Sequence, residues 1–321
     1  MLRPLLLAGA LASALAVATP GYSYPWPVRP FDRPHPVRGN FGDPQTIFTF
    51  APSSNALAGP GRFSFRDGVD IAVKPGTDVF PVASGQVTRI LGTRIVVAVD
   101  PRHAFEYGGV RPAVEVGSTV VAGATRLGRT DGGQLTLSEF GDGRPLDPLA
   151  PDHLTPYRDR TKPRVTDITF RDANGTELSP LAVFGRISIV ADAFDLPTLA
   201  GRSRWRTFPV APAALTWQLR RLDDDAVVVP PTTVVDFLVG LPPQDAFWTI
   251  YARGTYQNSP TLGTTRFSSM PGRYLYVVTP SLNTGALRRG VYVVTVTAVD
   301  ARGNRGSLSA RFTIVRGTVP I

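Results

Sequence analysis

Short runs in which apolar and polar residues alternate dominate the chain after residue 20. The sustained apolar period of 3.6 residues that marks an amphipathic helix is missing from the same region. Glycine and proline, 31 residues each, separate the runs. Alternation with a period of two, broken by turn residues, is typical of strands. The sequence therefore predicts an all-β protein.

Two proline-rich stretches divide the chain into two predicted domains. Residues 19–36 are an extended arm, which either packs on the first domain or is a plain linker, and residues 151–163 are a polar linker. Residues 37–150 are predicted to form a compact antiparallel β domain. Residues 164–321 contain about seven alternating segments and are predicted to form an immunoglobulin-like β-sandwich with a long insert.

The alternation also predicts individual strands and core positions. In the first domain we expect strands at residues 69–73, 79–83, 85–90, 94–99, 114–117, 119–123 and 134–137. In the second we expect them at residues 165–170, 186–193, 215–220, 247–251, 274–278, 290–300 and 310–315. The predicted core includes Tyr292, Val294, Val296 and Ala298 on one strand, Phe312 and Ile314 opposite, and three tryptophans, Trp205, Trp217 and Trp248.

Residues 1–18 are predicted to be a signal peptide for export. Arg3 precedes an apolar run at residues 5–17, and the segment ends in the small residues Ala16 and Ala18. A retained N-terminal anchor is the alternative interpretation, although the run is shorter than the about 20 residues that a span needs. The chain has no cysteine, so disulfides do not contribute to its stability.

The formal net charge of +9 indicates a basic surface. Lys74 and Lys162 are the only lysines, and the arginines are scattered rather than grouped with aromatic residues. We therefore do not predict nucleic-acid binding. Anionic envelope polymers, phospholipid headgroups or simply water are the expected environments of these charges.

Four phrases, taken together, carry a specific resemblance. They are 39–44 (GNFGDP), 68–79 (GVDIAVKPGTDV), 116–123 (VGSTVVAG) and 143–148 (GRPLDP). In this order and spacing they resemble the lysostaphin/LytM-type peptidase domain, whose members are zinc enzymes that cut the peptide cross-bridges of peptidoglycan. The resemblance covers roughly residues 37–150 and implies the antiparallel β fold of that family.

The zinc positions implied by the resemblance are degenerate. The family's His-x-x-x-Asp phrase falls on Arg66 to Asp70, its His-x-His phrase on Gln134 to Thr136, and its mid-domain histidine on Gly109 or the neighbouring Gly108. Asp70 is the only matching ligand. A catalytic zinc needs about three protein ligands, whereas arginine is permanently cationic and glutamine exchanges no proton near neutral pH. We therefore expect no catalytic residue, no bound metal and no cofactor.

A hypothesis for the replaced site is that Arg66 meets Asp70 in a bidentate pair. The alternative is that Arg66 points to solvent while Asp70 accepts backbone donors. The candidate groove and binding residues are Arg66, Asp70, Tyr107, Gln134 and Thr136.

A metal site rebuilt from other residues is a further alternative. Its candidate ligands are His103, Asp67, Asp70 and Glu139. The simpler interpretation takes His35 in the arm and His103 in a loop as solvated, and His153 as a linker residue.

Three functions remain open at this stage. The first is an exported cell-envelope protein with an inactive LytM-like domain that binds peptidoglycan or regulates a partner cell-wall hydrolase. The second is an active zinc endopeptidase that cuts peptidoglycan. The third is a structural or adhesive envelope protein that does not use the groove.

Overall fold

The computed structural model describes residues 23–48, 61–197, 199, 209–256 and 272–315. This part of the chain is almost entirely β-structure, as predicted, and its one α-helix is α1 (Phe247–Ile250). The predicted signal peptide, Trp205 and part of the predicted insert lie outside the described residues. None of the described helices is long and apolar enough to cross a membrane.

The strands, in chain order, are β1 (Val37–Gly39), β2 (Pro44–Phe48), β3 (Gly61–Phe65), β4 (Val69–Ala72), β5 (Asp78–Val79), β6 (Gly85–Leu91), β7 (Arg94–Ala98), β8 (His103–Gly108), β9 (Val110–Pro112), β10 (Thr119–Val120), β11 (Gly128–Thr130), β12 (Gln134–Gly141), β13 (Arg144–Leu146), β14 (Arg164–Arg171), β15 (Arg186–Phe194), β16 (Ala214–Arg221), β17 (Val227–Asp236), β18 (Leu275–Asn283), β19 (Gly290–Val299) and β20 (Arg305–Ile314).

Strands β1 to β13 form the first domain. Its largest sheet has the order β1-β4-β12-β8-β7-β6-β10, with β13 paired to β12. A smaller sheet has the order β5-β11-β9, and β2 pairs with β3 in a hairpin. Apolar side chains that alternate along β4 and β12, including Ile71 and Leu135, are fully buried in one core.

The register of the central strands places the predicted site positions side by side. Thr136 in β12 lies opposite Asp70 in β4 and, on its other side, opposite Gly108 in β8. Just before β4, a Cβ atom at Gly68 would lie 2.3 Å from the carbonyl oxygen of Leu137. Glycine is therefore needed where the chain approaches β12 between Arg66 and Asp70.

Strands β14 to β20 form two sheets that pack face to face. Their orders are β14-β15-β18 and β17-β16-β19-β20. Ile189 and Tyr276 from the first sheet share a core with Leu219 and Val294 from the second. All six predicted core positions on β19 and β20 are buried: Tyr292, Val294, Val296, Ala298, Phe312 and Ile314. The immunoglobulin-like class of this sandwich stays a prediction.

The two domains share apolar packing. Phe41 and Phe65 of the first domain belong to the core of the second. The Tyr251 hydroxyl donates a hydrogen bond of 2.8 Å to the carbonyl oxygen of Gly42. A Cβ atom at Gly42, where φ is +84°, would lie 2.5 Å from the Phe237 ring. Because no side chain fits there, Gly42 allows this close approach of the domains.

The arm packs on the first domain over its described residues, 23–36. Tyr24 and Trp26 are 3% and 1% exposed and belong to the first-domain core. The Phe31 ring packs edge-on against Phe80 with centroids 5.4 Å apart. Of the two interpretations of the arm, the described residues therefore fit packing on the first domain and not a plain linker.

Residues 247–250 form α1 in place of the strand predicted at residues 247–251, and the extended residue Tyr251 ends the helix. Phe247 and Tyr251 lie four residues apart, a spacing that places two side chains on one helix face. Their ring centroids are 5.1 Å apart, and both residues are in the second-domain core. A mostly apolar segment of five residues fits both the helix period of 3.6 and the strand period of two, so the pattern does not decide between a helix and a strand.

Other strands also differ from the prediction. β17 was not predicted because Pro230 and Pro231 interrupt it, but it is an edge strand of its sheet, where proline is tolerated. β8 and β9 were not predicted either. Residues 114–117 form no strand, and the amide of Ser118 closes a turn on the carbonyl of Glu115 at 3.1 Å.

We predict that Phe65→Ala destabilises the protein by about 3–5 kcal/mol, since it removes a buried aromatic ring from the shared core. The Phe65 side chain is 2% exposed and packs 5.2 Å from the Phe247 ring. Urea denaturation followed by tryptophan fluorescence measures the change. Val239→Ala, at a position 87% exposed, is the control and should cost about 0.5 kcal/mol or less. Equal effects of the two variants would contradict the shared core.

Candidate functional site

A buried ion pair occupies the position at which the resemblance implies zinc. The Nη1 atom of Arg66 lies 2.5 Å from Oδ1 of Asp70, and the two residues are 6% and 0% exposed. The contact joins a single nitrogen to a single oxygen, so it is not the bidentate pair of the hypothesis. The bend at Gly68 brings the two side chains together although they start on different segments.

Two neighbouring strands complete the surroundings of the pair. The Thr136 hydroxyl donates to the same Oδ1 of Asp70 at 2.7 Å. The side-chain oxygen of Gln45 accepts from Arg66 at 3.1 and 3.3 Å in the amide orientation that satisfies both ends of the amide. Hydrogen bonds to ionised partners are among the stronger ones in proteins. Asp70 is thus stabilised by a cation and a hydroxyl.

Two further charged groups are buried beside the pair. Asp43 is 0% exposed, and its Oδ1 accepts a 2.6 Å hydrogen bond from the backbone amide of Ala211 in the second domain. Burial raises the pKa of Asp43 to about 7, although the charge of Arg66 opposes the shift. Arg38 is 5% exposed, and burial lowers its pKa while Asp70 counteracts this. Two cations and two carboxyl groups are thus buried together, and the raised pKa of Asp43 leaves it largely neutral below about pH 7.

The other positions implied by the resemblance do not supply metal ligands. Gln134 accepts a 2.6 Å hydrogen bond from Arg38 through its side-chain oxygen. Gly109 has a φ of +78° and offers no side chain. Oδ2 of Asp70 has no hydrogen-bond partner among the described residues, but one oxygen falls short of the about three ligands a catalytic zinc needs. With a guanidinium against its other oxygen, this group of residues does not fit zinc.

The predicted groove residues are less accessible than expected. Tyr107 is 0% exposed, and its hydroxyl accepts a hydrogen bond from the amide of Val82 at 2.8 Å, so it does not line an open groove. Asp70 and Arg66 are buried too, whereas Gln134 and Thr136 are partly exposed. Three of the five candidate groove residues, Arg66, Asp70 and Tyr107, are therefore buried side chains, and the role of the group in binding stays a prediction.

The second domain packs directly beside the site. Asn40 donates through Nδ2 to the carbonyl oxygen of Ala211 at 3.1 Å, and Ala211 donates back to Asp43. The amide of Phe65 donates to the side-chain oxygen of Gln244 at 2.8 Å. These contacts fix the second domain to the loop before β2 and to the strand that leads to Arg66.

A second polar cluster was missed by the sequence interpretation. His103 is not the solvated loop residue that was expected, and His153 is more than a linker residue, because both hydrogen-bond to the buried carboxylate of Glu139, at 2.8 and 2.7 Å. His35 lies partly buried, with its Nε2 atom 3.0 Å from the Pro30 carbonyl oxygen. The only signal in the sequence was Glu139 itself, an acidic residue at the position where the apolar alternation of Leu135 and Leu137 would continue. Its partners are too distant in sequence for a local pattern to reveal.

The rebuilt metal site is not assembled in the described part of the chain. Asp67 accepts from Ser138 at 3.3 Å, away from the His103 and Glu139 pair. The acidic residues that do converge are Asp159, Asp195 and Asp300, whose carboxylate oxygens lie within 4.8 Å of one another. Burial, with the charges of Asp159 and Asp300, raises the pKa of Asp195 to about 8. This cluster lies at the linker and the second domain, far in sequence from the predicted site.

Comparison with known proteins is informative only at the level of solved structures. No family model matches the sequence, and no curated protein matches it. A zinc-containing peptidase from Vibrio cholerae is 16% identical over 40% of this chain and 39% of its own, with a TM-score of 0.30. Csd3 from Helicobacter pylori is 19% identical over 40% of this chain and 33% of its own, with a TM-score of 0.29.

A third similar structure is the mutant catalytic domain of EnpA, a prophage-encoded M23 protein from Enterococcus faecalis. It is 19% identical over 30% of this chain and 82% of its own, with a TM-score of 0.23. The present chain spans less than half the length of the first two proteins. The structures that part of this chain resembles thus include M23 peptidases. Similarity at this level carries no information about activity.

We predict that the Arg66–Asp70 pair is energetically coupled. Arg66→Met alone leaves a buried carboxylate without its cation, and Asp70→Asn alone leaves a buried cation, so each should cost about 3–5 kcal/mol. The double variant should cost less than the sum of the two, because neither charge then remains. Urea denaturation of all four proteins measures the coupling.

The exposed pair Arg111–Asp131 is the matched control for this cycle, with side chains 75% and 45% exposed. Its coupling should be about 1 kcal/mol or less. Equal coupling energies for the buried and exposed pairs would contradict the importance of the buried one.

We predict that the folded state is more stable at pH 5 than at pH 8.5. The pKa values of Asp43, Asp147 and Asp195 are raised to about 7, 6 and 8, each mainly by burial. Between the ordinary value near 3.8 and these values the folded state binds more protons than the unfolded state, so stability falls as pH rises. Thermal unfolding at both pH values tests this, and a Tm that rises toward pH 8.5 would refute it. Asp43→Asn should reduce the difference.

Proposed function

We propose that this chain is an exported cell-envelope protein whose LytM-like domain is catalytically inactive and acts by binding. Its partner is peptidoglycan or a cell-wall hydrolase that it regulates. Export rests on the apolar N-terminal segment with its Ala16-Val17-Ala18 end.

The observation that carries the proposal is the contact of Arg66 with Asp70. The guanidinium lies 2.5 Å from the one carboxylate that matches the family's zinc ligands. Zinc hydrolases need a metal-bound water whose pKa is lowered to near 7. Arg66 offers no lone pair to a metal, and Gln134 offers no proton acceptor for general base catalysis. The residues present therefore favour recognition over hydrolysis, and an active zinc endopeptidase is the less favoured alternative.

The partly exposed end of the site is the candidate recognition surface. Gln134, Thr136 and Gly109 are partly exposed along the adjoining strands β12 and β8 and the turn after β8. A partly exposed side-chain amide such as that of Gln134 suits hydrogen bonding to the peptide bonds of a cell-wall stem peptide or of a partner protein.

A structural role in the envelope is the second candidate, and one observation favours it. Phe41 and Phe65 insert into the core of the second domain beside the site. Burial of apolar side chains between the domains favours a rigid body, and rigidity suits a structural component that leaves the site unused.

We expect the purified mature protein to contain substoichiometric zinc by elemental analysis and to leave purified sacculi turbid. Sacculi should nevertheless retain it in about 0.3 M salt, where screening weakens the nonspecific attraction of a basic protein. Stoichiometric zinc together with clearing of sacculi would overturn the proposal in favour of the peptidase.

The retention step separates binding to peptidoglycan from the other possibilities. Loss of retention at about 0.3 M salt would show that only surface charge holds the protein on sacculi. In that case, addition of the protein to a cell-wall hydrolase tests regulation, and an unchanged clearing rate would leave the structural role. Gln134→Ala should weaken retention, whereas Thr295→Ala, on the outer face of the second domain, is the control.

A further inference from the structure

The buried carboxylate of Glu139 joins three separate parts of the first domain. Glu139 lies in β12 and is 1% exposed. Its Oε2 accepts from the Tyr24 hydroxyl at 2.6 Å and lies 2.7 Å from Nδ1 of His153, while its Oε1 lies 2.8 Å from Nε2 of His103. Tyr24 belongs to the N-terminal arm, His103 begins β8, and His153 belongs to the segment that leads to the second domain.

The backbone repeats the connection between the arm and this segment. The amide of Tyr24 donates to the His153 carbonyl at 3.1 Å, and the amide of Thr155 donates to the Tyr24 carbonyl at 2.8 Å. Nearby, Nε1 of Trp26 donates to the Pro156 carbonyl at 2.9 Å. The arm and the segment at residues 153–156 are thus hydrogen-bonded to each other next to the two residues, Tyr24 and His153, that contact Glu139.

The charges around the cluster make its strength depend on pH. Asp147 is 7% exposed and lies near both His153 and Glu139, Asp152 lies near His153, and Arg302 lies near Asp147. The aromatic neighbours Phe105, packed on Tyr24 and His103, and Tyr107 add no charge near neutral pH. Two groups here change charge in this pH range: His153, which lies between carboxylates, and Asp147, whose pKa burial raises to about 6.

The direction in which pH changes the strength of the cluster follows from the pKa values of His153 and Glu139. Burial alone would lower the pKa of His153, but the hydrogen bond and charge of Glu139 outweigh it and raise that pKa. Burial alone would raise the pKa of Glu139, but hydrogen bonds from His103, His153 and Tyr24 lower it. The contribution of His153 is complete below about pH 6.5 and is lost as pH rises through its folded value. That of Glu139 is complete above about pH 4.5 and is lost in acid.

We propose that Tyr24, Glu139, His103 and His153 form a pH-dependent clasp that fixes the N-terminal arm to the segment entering the second domain. The clasp is tightest in mildly acidic solution, where His153 is protonated and Glu139 is ionised. It loosens as the pH rises and the proton leaves His153, because the charged hydrogen bond becomes a neutral one. This device is independent of the proposed envelope function, since it concerns only how the arm is held.

Hydrogen–deuterium exchange of the mature protein tests the clasp. The probes are peptides that contain Tyr24 and residues 153–156, with amides of β16 and β19 as an internal reference for global unfolding. After correction for intrinsic exchange rates, we expect protection of the two clasp segments to fall more than that of the reference between pH 5.5 and 8.5. Tyr24→Phe keeps the ring packing but loses one hydrogen bond to a charged acceptor, so it should lower clasp protection about tenfold at pH 5.5.

Two histidine variants separate titration from structure. His153→Gln keeps a donor that does not titrate, so the clasp segments should lose their extra pH dependence while the reference amides are unchanged. His35→Gln alters a histidine of the same arm that does not contact Glu139 and should behave as wild type. Asp147→Asn should preserve the extra dependence, which excludes Asp147 as its source. Equal pH dependence in wild type and His153→Gln, or unchanged protection in Tyr24→Phe, would overturn the proposal.

Discussion

The buried contact between Arg66 and Asp70 is the interaction on which the interior of the first domain depends. A carboxylate with no solvent exposure needs compensation, because an unpaired buried charge is very costly. In a zinc enzyme a metal supplies that compensation, and here a guanidinium from the same bend of chain supplies it. Thr136 adds a hydroxyl donor to the same oxygen. The charge of Asp70 is therefore compensated without a metal. Gln134 and Thr136, at the other positions of the resemblance, also form hydrogen bonds to protein groups.

The second domain makes this closed site part of a larger interior. Ala211 donates to Asp43 beside the ion pair, and Phe65 packs among the aromatic rings of the second domain. The second domain thus contributes directly to the surroundings of Asp43, whereas first-domain strands surround Asp70. The ion pair is thus buried, and the second domain contacts the residues beside it, while Gln134 and Thr136 stay partly exposed.

Sequence patterns predicted what depends on local order. The alternation along β19 placed Tyr292 and Val294 in the core. The contact of Arg66 with Asp70 was one of two hypotheses that the family resemblance left open, and the structure shows that contact. In a short segment such as α1, the helix period and the strand period both fit, so the pattern could not distinguish a helix from a strand. The partners of Glu139 lie 14, 36 and 115 residues away, so only the folded chain brings them together. The same holds for the second-domain contact of Asp43.

Crystals of the protein soaked in zinc test the central claim most directly, by anomalous diffraction at the zinc absorption edge. We predict no anomalous peak at Asp70 and a nitrogen of Arg66 within hydrogen-bonding distance of its carboxylate, below about 3.2 Å. A zinc peak at about 2.0–2.2 Å from an Asp70 oxygen, with Arg66 turned away, would contradict the account.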